Sequence, residues 1–386
     1  MNRILVLAFA LMLLPTQYGT AQSMEDLNIQ IHGYATQGFL YTTQNNIFTT
    51  NSSDGSPAWT EAVISLSSEP MPKLRLAVQT RYFLLGNYGN DISIDFAMVD
   101  YKANDWFGLR FGKVKTPWGL FNEIQDIDPS YLWALLPEGI YPIDSRSSFL
   151  AHYGGVVYGK VALSKKLGKL EYRAFGGEGI YSPKDGYFVA QAEGGFNLPN
   201  NIQGPLYGGA LHWKTPIPGL MVGASALKDN TWSALYTANG GATAGTETLL
   251  ANTQPNYFAS FEQNKLLVAF EYERSWGHQL VQFPGTPDSY ARNDDRSWYG
   301  MASYKVTPKL TAGVYESQNA DHQAPVTSDR HYNERVVSGR YDFSGFLYAK
   351  AEEHFITGTG LAFDDNLNSN LQPNSKLTVL KVGVSF

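Results

Sequence analysis

The residues of this chain best placed to do chemistry are charged ones in a regular order. Arg75 and Arg81 alternate with Leu74, Leu76 and Val78, and Arg110 closes a second extended segment. Glu123, Asp126 and Asp128 crowd into the stretch that follows. Opposed rows of fixed charge set up a transverse field across a narrow wet passage, which orients dipolar solutes and rejects apolar ones. That is selection without a reaction. The same arginines can instead pair with neighbouring carboxylates such as Glu61, for structure only.

Chemistry that breaks bonds has little to stand on. There is no cysteine, so no thiolate can ligate a metal or attack a substrate. The seven histidines are scattered, with neither His-Glu-x-x-His nor a paired metal-ligand spacing, so no metal is expected. No Gly-x-Ser-x-Gly elbow and no phosphate-cradling loop appears, and no cofactor is expected. Gly240-Gly241 and Gly358-Thr-Gly360 read as loop glycines, and Asn293-Asp294-Asp295 and Asp364-Asp365-Asn366 lack the further ligands a calcium site needs. Nothing singles out a catalytic triad, so no catalytic residue is assigned.

Elements must hold the charges in place, and composition limits what those can be. The 386 residues are 14% aromatic and only 17% charged, too aromatic for a disordered chain. A net charge of -6 lacks the basic footprint of a nucleic-acid binder. Residues 1–21 read as a signal peptide: Arg3, an apolar run from Ile4 to Leu14, then Gly19-Thr20-Ala21. Eleven apolar residues fall short of the ~20 that span a bilayer. Beyond residue 21 no apolar run could cross as a helix, so residues 22–386 form one exported domain, either soluble or a β-barrel of an outer membrane.

From Asn28 onward the pattern has period 2, in sixteen segments of about ten residues. They are Asn28 to Tyr41, Ala58 to Ser68, Lys73 to Phe83, Ile92 to Ala103, Trp106 to Lys113, Gly154 to Ser164, Lys169 to Gly176 and Leu206 to Thr215. Leu220 to Lys228, Asn256 to Gln263, Lys265 to Trp276, Ser297 to Val306, Leu310 to Ser317, Asn333 to Phe343, Phe346 to Ile356 and Leu377 to Phe386 follow. Tight turns such as Asn104-Asp105 and Ser344-Gly345 alternate with long polar stretches such as 114–153, 229–255 and 277–296. This alternation predicts an all-β, sixteen-stranded antiparallel transmembrane barrel with short periplasmic turns and long extracellular loops. Tyr34, Tyr41, Tyr82, Tyr101, Trp106, Trp213, Tyr257, Trp298, Tyr304 and Tyr341 lie near segment ends, where interfacial girdles belong. In the fourth segment either parity turns Asp95 or Asp100 toward lipid. Counting polar faces as inward gives twelve basic against seven acidic residues on the inner wall, a basic lining. The chain ends on Phe386 after Leu380, Val382 and Val384, which resembles the signal read by barrel-assembly machinery.

The third long stretch, Val114 to about Tyr153, is too apolar to lie free in water. Ser130 can cap a short helix that Pro137 ends. Arg110-Phe-Gly-Lys113 leading into Lys115-Thr-Pro-Trp-Gly-Leu-Phe121 resembles the start of the third loop of Gram-negative sixteen-stranded porins. The resemblance implies a third loop folded into the lumen, a homotrimer, and acidic loop residues facing basic wall residues across a constriction. By it, Glu123, Asp126 and Asp128 take the acidic role and Arg75, Arg81 and Arg110 the basic one. The Pro-Glu-Phe-Gly-Gly sequence of enteric porins is absent. Lys113 and Lys115 sit at the loop root, and Trp118, Phe121, Tyr131, Trp133 and Tyr141 are expected to wedge the loop against the wall or, alternatively, to form a greasy slide for sugars. The expected function is passive diffusion of small hydrophilic solutes, with some preference for anions, across the outer membrane of a Gram-negative bacterium. A substrate-specific channel, an outer-membrane hydrolase and a plugged barrel are the alternatives.

Overall fold

The computed structural model describes residues 27–193, 195–238, 243–363 and 367–386. The signal-peptide expectation and the Asp364 to Asn366 cluster lie outside them. The chain forms sixteen strands: β1 (Gln30–Thr42), β2 (Ser56–Met71), β3 (Leu74–Leu85), β4 (Tyr88–Asn104), β5 (Phe107–Lys115), β6 (Ala151–Ser164), β7 (Gly168–Tyr181) and β8 (Ile202–Lys214). Then come β9 (Leu220–Ala238), β10 (Thr243–Gln263), β11 (Leu266–Gln282), β12 (Ser289–Lys305), β13 (Leu310–Asp321), β14 (His331–Asp342), β15 (Leu347–Thr357) and β16 (Asn374–Ser385). Each pairs antiparallel with its sequence neighbours, and β1 pairs with β16 to close the barrel. Closure leaves no strand edge in a medium that cannot hydrogen-bond it. Phe386 takes part, exchanging backbone hydrogen bonds with Gly33 at 3.0 and 3.1 Å.

Side-chain parity follows the period-2 pattern. On β3, Ala77, Gln79, Arg81, Phe83 and Leu85 are buried inward, while Leu76 is exposed on the outer face. Outward aromatics include Tyr41, Tyr101, Trp106, Trp213, Tyr257 and Tyr304, all exposed. Tyr34 departs from the girdle expectation. It faces inward and is buried, because its hydroxyl donates to the Asp126 carbonyl at 3.0 Å.

Three connections expected to be long turn out to be largely strand: 84–91, which is a turn of only Gly86 and Asn87 between β3 and β4, 229–255 and 277–296. The β9–β10 pairing runs up to Ala238↔Thr243 and the β11–β12 pairing up to Val281↔Ser289. Cross-strand pairs such as Trp232↔Leu249 and Leu235↔Thr246 carry the upper hairpin, β-formers whose signal was diluted by the flanking Asn and Gly. Trp232, Tyr236 and Leu249 also pack with Phe188, Leu198 and Ile202. Among the described residues two short α-helices lie between strands: α1 (Arg146–Leu150) and α2 (Gly186–Glu193).

A β-bulge resolves the parity of β4. Gln79 pairs with Phe96 and Thr80 with Ile94, so Asp95 is the extra residue of β4. Asp95 and Phe96 are both buried. Below the bulge Asp100 faces inward and meets Arg110 at 3.1 Å; above it Ile92 and Ile94 face outward, 76% and 49% exposed. Neither carboxylate meets lipid. Deleting Asp95 should therefore remove the bulge and leave the facing intact, since Ile94 then follows Phe96 in regular alternation, with Ile92 and Ile94 still outward and Asp91 inward. No isoleucine then leaves the outer face, where about 1.5–3 kcal/mol each would be at stake, and the heat-modifiable folded band on a gel should survive the deletion. Asp95→Asn, which keeps the bulge, should retain it too.

Candidate functional site

The segment between β5 and β6 leaves the wall at Thr116-Pro117-Trp118-Gly119 and meets inward-facing side chains around the barrel. Gly119 has φ +64, and a Cβ there would come within 2.5 Å of the Tyr141 hydroxyl and 2.6 Å of Glu271. Only glycine lets the backbone approach so closely. The Gly119 N–H donates to Ser225 Oγ of β9 at 2.9 Å, and the Leu120 N–H to Glu271 Oε1 of β11 at 2.9 Å. Tyr141 and Tyr299 hydroxyls donate to the same carboxylate, at 2.8 and 2.5 Å. Trp118, Phe121, Trp133 and Tyr141 are buried in one cluster with Tyr299, Met301, Tyr315 and Val336 of the wall.

Further along, Asp128 reaches β15 and β16. Its carboxylate lies 3.1 Å from Lys350 Nζ and 2.6 Å from Lys381 Nζ, and accepts from the Tyr348 hydroxyl at 2.6 Å. Burial pushes this carboxyl up, but the two ammonium groups outweigh it and hold it well below the usual carboxylate range. Glu352 of β15 accepts the Ala134 and Leu135 N–H groups at 2.7 and 3.1 Å. Those bonds draw residues 131–136 out of the expected helix. Helical structure there is confined to a 3-10 turn at Asp128–Ser130. His354 lies between Glu334 and Glu352, at 3.0 and 3.2 Å. On the loop side Glu138 is buried, and burial, then Asp144 and Glu334, push its carboxyl well up.

The predicted charges divide into two sets. Arg110 Nη1 lies 3.2 Å from Glu123, and Arg173 Nε of β7 lies 3.1 Å from the same carboxylate. These three side chains remain 23%, 20% and 25% exposed. Asp126 is fully enclosed, held by Lys115 at 2.7 Å and Gln79 at 2.6 Å. Arg81 is enclosed too, near Glu61 and Asp95 at 3.7 Å, while Arg146 of α1 meets Glu61 at 2.7 Å. The pairing of Arg81 is thus the structural one with Glu61. Arg75 is exposed toward the turn end of β3, opposite Asp100 in the β3–β4 register. Lys113 shares the outward face with Tyr153, and its Nζ donates to the Ile94 carbonyl at 2.5 Å. Lys115 alone of the two root lysines turns inward. Above Ala97↔Lys113, β4 parts from β5, and a cavity of about 340 Å³ lies beside the gap, lined by Arg81, Ser93, Lys113, Asp144 and Asp185.

Sequence reasoning missed Arg173 as a partner of Glu123, and Glu271, Glu334 and Glu352 as loop anchors. All four lie at inward parity, the one signal that marks them. Asp95, Asp100, Asp229 and Glu334 also join the inner wall, bringing its charge closer to balance than the count of polar faces gave.

Comparison with known proteins places this geometry. No family model matches the chain, and no curated protein does. Solved structures do. A Salmonella typhi OmpF in complex with daunomycin is similar at TM-score 0.57 and 12% identity, covering 94% of this chain and 99% of that one. An anion-selective porin from Comamonas acidovorans gives 0.55 and 9%, covering 93% and 99%. OmpT, an outer-membrane protein of Vibrio cholerae in a trimer form, gives 0.52 and 12%, covering 93% and 99%. The fold is that of the Gram-negative outer-membrane porins. At these identities the likeness speaks for the fold alone.

Two outcomes follow from the loop anchors. Asp128→Asn leaves two buried ammonium groups without a counter-charge, so stability should fall by about 3–5 kcal/mol, read as a lowered thermal midpoint with proteolysis between 121 and 141. Because the Asp128 carboxyl is depressed, its contribution should persist as pH falls from 7 through 4 and vanish only in stronger acid. Glu138 has the opposite sign. Its raised carboxyl stabilises below about pH 4 and that contribution is lost as pH rises through the elevated value. Glu138→Gln should flatten this part of the pH dependence of the midpoint.

Proposed function

We propose that this protein is an outer-membrane porin through which small hydrophilic solutes diffuse passively past a charged constriction. The observation that carries the reading is the partly exposed trio of Arg110, Arg173 and Glu123 among otherwise buried anchors of the third long loop. In this reading that loop narrows the bore, and Asp126 and Asp128 fasten it while Glu123 borders the water. The exposed lining beside Glu123 is basic. Arg110 and Arg173 are joined by Lys160 and Lys214, 61% and 51% exposed, against a Glu171 that is only 9% exposed. Such a wall favours anions. The porin barrels it resembles, one of them described as anion-selective and OmpT seen as a trimer, support a channel and a homotrimeric assembly in lipid. Passage needs no cofactor and no catalytic group.

Current through the refolded protein in a planar bilayer tests this directly. Steps should come in groups of three, and the reversal potential under a salt gradient should take the sign of anion preference. Arg110→Ala with Arg173→Ala should move that potential toward cations, and Glu123→Gln should move it further toward anions. Silence from correctly folded protein would sink the proposal.

A further inference from the structure

We propose that the outer wall of β11–β14 holds a phosphate-bearing lipid of the outer leaflet, with its phosphate on Arg274 and Arg296 and an acyl chain in the groove beneath. The two arginines are directly opposed in the β11–β12 register and continue the outward rows of those strands. Like charges facing each other across a strand pair repel. Here Asp294 lies between them, accepting from Arg274 at 2.5 and 3.0 Å and from Arg296 at 2.8 Å. The carboxylate aligns the guanidinium groups and leaves one net positive charge. Each arginine remains 40% exposed, and Arg274 lies over the Trp276 ring at 4.9 Å. The neighbouring Asp321 carboxylate is engaged by the Asp294 and Gln323 N–H groups, at 3.2 and 2.8 Å.

The rows below have the order a lipid needs. Tyr272 and Trp298 form the next opposed pair, aromatic residues of the kind that mark the membrane interface. Beneath them a groove of about 670 Å³ is lined by Phe270, Gly300, Val314, Val337 and Phe355. A Cβ at Gly300 would find nothing within 4 Å, so the floor is open. Glu316 and Arg335 pair at 3.3 Å within the groove's lining, in the register row of Gly300, an ion pair on an outward face. Arg296 stands eight residues above Tyr304, or about 20 Å at ~3.3 Å per residue and ~40° tilt, near the top of a ~25 Å apolar band. A phosphate belongs at that height, and paired guanidinium groups are the side chains that grip one.

The test uses folded whole protein in mild detergent, incubated with diphosphorylated lipid A or with the same lipid after phosphatase treatment, with bound lipid read by native mass spectrometry. The wild type should retain the phosphorylated lipid at least tenfold better. The double variant Arg274→Gln, Arg296→Gln should lose that difference, and Gly300→Leu should lower retention of both lipids. Equal retention of the two lipids by the wild type would overturn the phosphate site without any variant. So would a double variant that folds and still discriminates, or efficient cross-linking between copies through a cysteine at Trp298, which would make the face a subunit contact.

Discussion

The constraint that governs this molecule is that a barrel in lipid must turn most of its charges inward, and once inward they must find partners. The inner wall carries Glu61, Glu271, Glu334, Glu352, Lys350 and Lys381, all nearly inaccessible to water. Enclosed charge of this kind is tolerable only when paired or hydrogen-bonded. The segment between β5 and β6 supplies those partners. It brings Asp128 to the two lysines, Arg146 to Glu61, and backbone N–H groups to Glu271 and Glu352. Wall and loop each satisfy what the other could not bury alone, which is why the loop is apolar on one side and acidic on the other.

How much of this the sequence disclosed depended on the period of each signal. Strands alternate with period 2, so all sixteen could be read, and the faces of β3, β11 and β15 came with them. A bulge breaks that period by one residue. Asp95 therefore looked like a contradiction in β4, though it is the residue that removes it. The upper β9–β10 hairpin was hidden for a different reason: Trp232 and Leu249 are good strand formers, but they sit in stretches whose Asn and Gly content reads as loop.

In the candidate site, residue type was legible and depth was not. Glu123, Asp126 and Asp128 share a short acidic run, yet one stays wet and two are enclosed. Spacing cannot tell these apart, because burial is decided by partners far along the chain. Asp128 is separated from Lys381 by 253 residues. Arg173 escaped notice for the same reason, since nothing local to β7 points to Glu123. Contacts of this kind are set by barrel closure, and no local pattern encodes them.

The position of the exposed charges also argues about mechanism. Anchors crowd the β11–β16 side, where Tyr299, Lys350 and His354 lose almost all contact with water. Solvent contact survives on the β5–β8 side, beside Arg110 and Arg173. In the proposed reading, a pore lined there is eccentric, with the loop filling one side and leaving a slot against the other. Both arginines sit on strands rather than on the loop, so the basic side of the slot is as rigid as the barrel itself. The acidic side is a single carboxylate, Glu123, held by those same two arginines. A solute anion passing the slot would compete with Glu123 for them, and a solute cation would compete with the arginines for Glu123. In that reading two fixed positive groups against one tethered negative group favour the first exchange, so a preference for anions would follow from which partner the fold holds still.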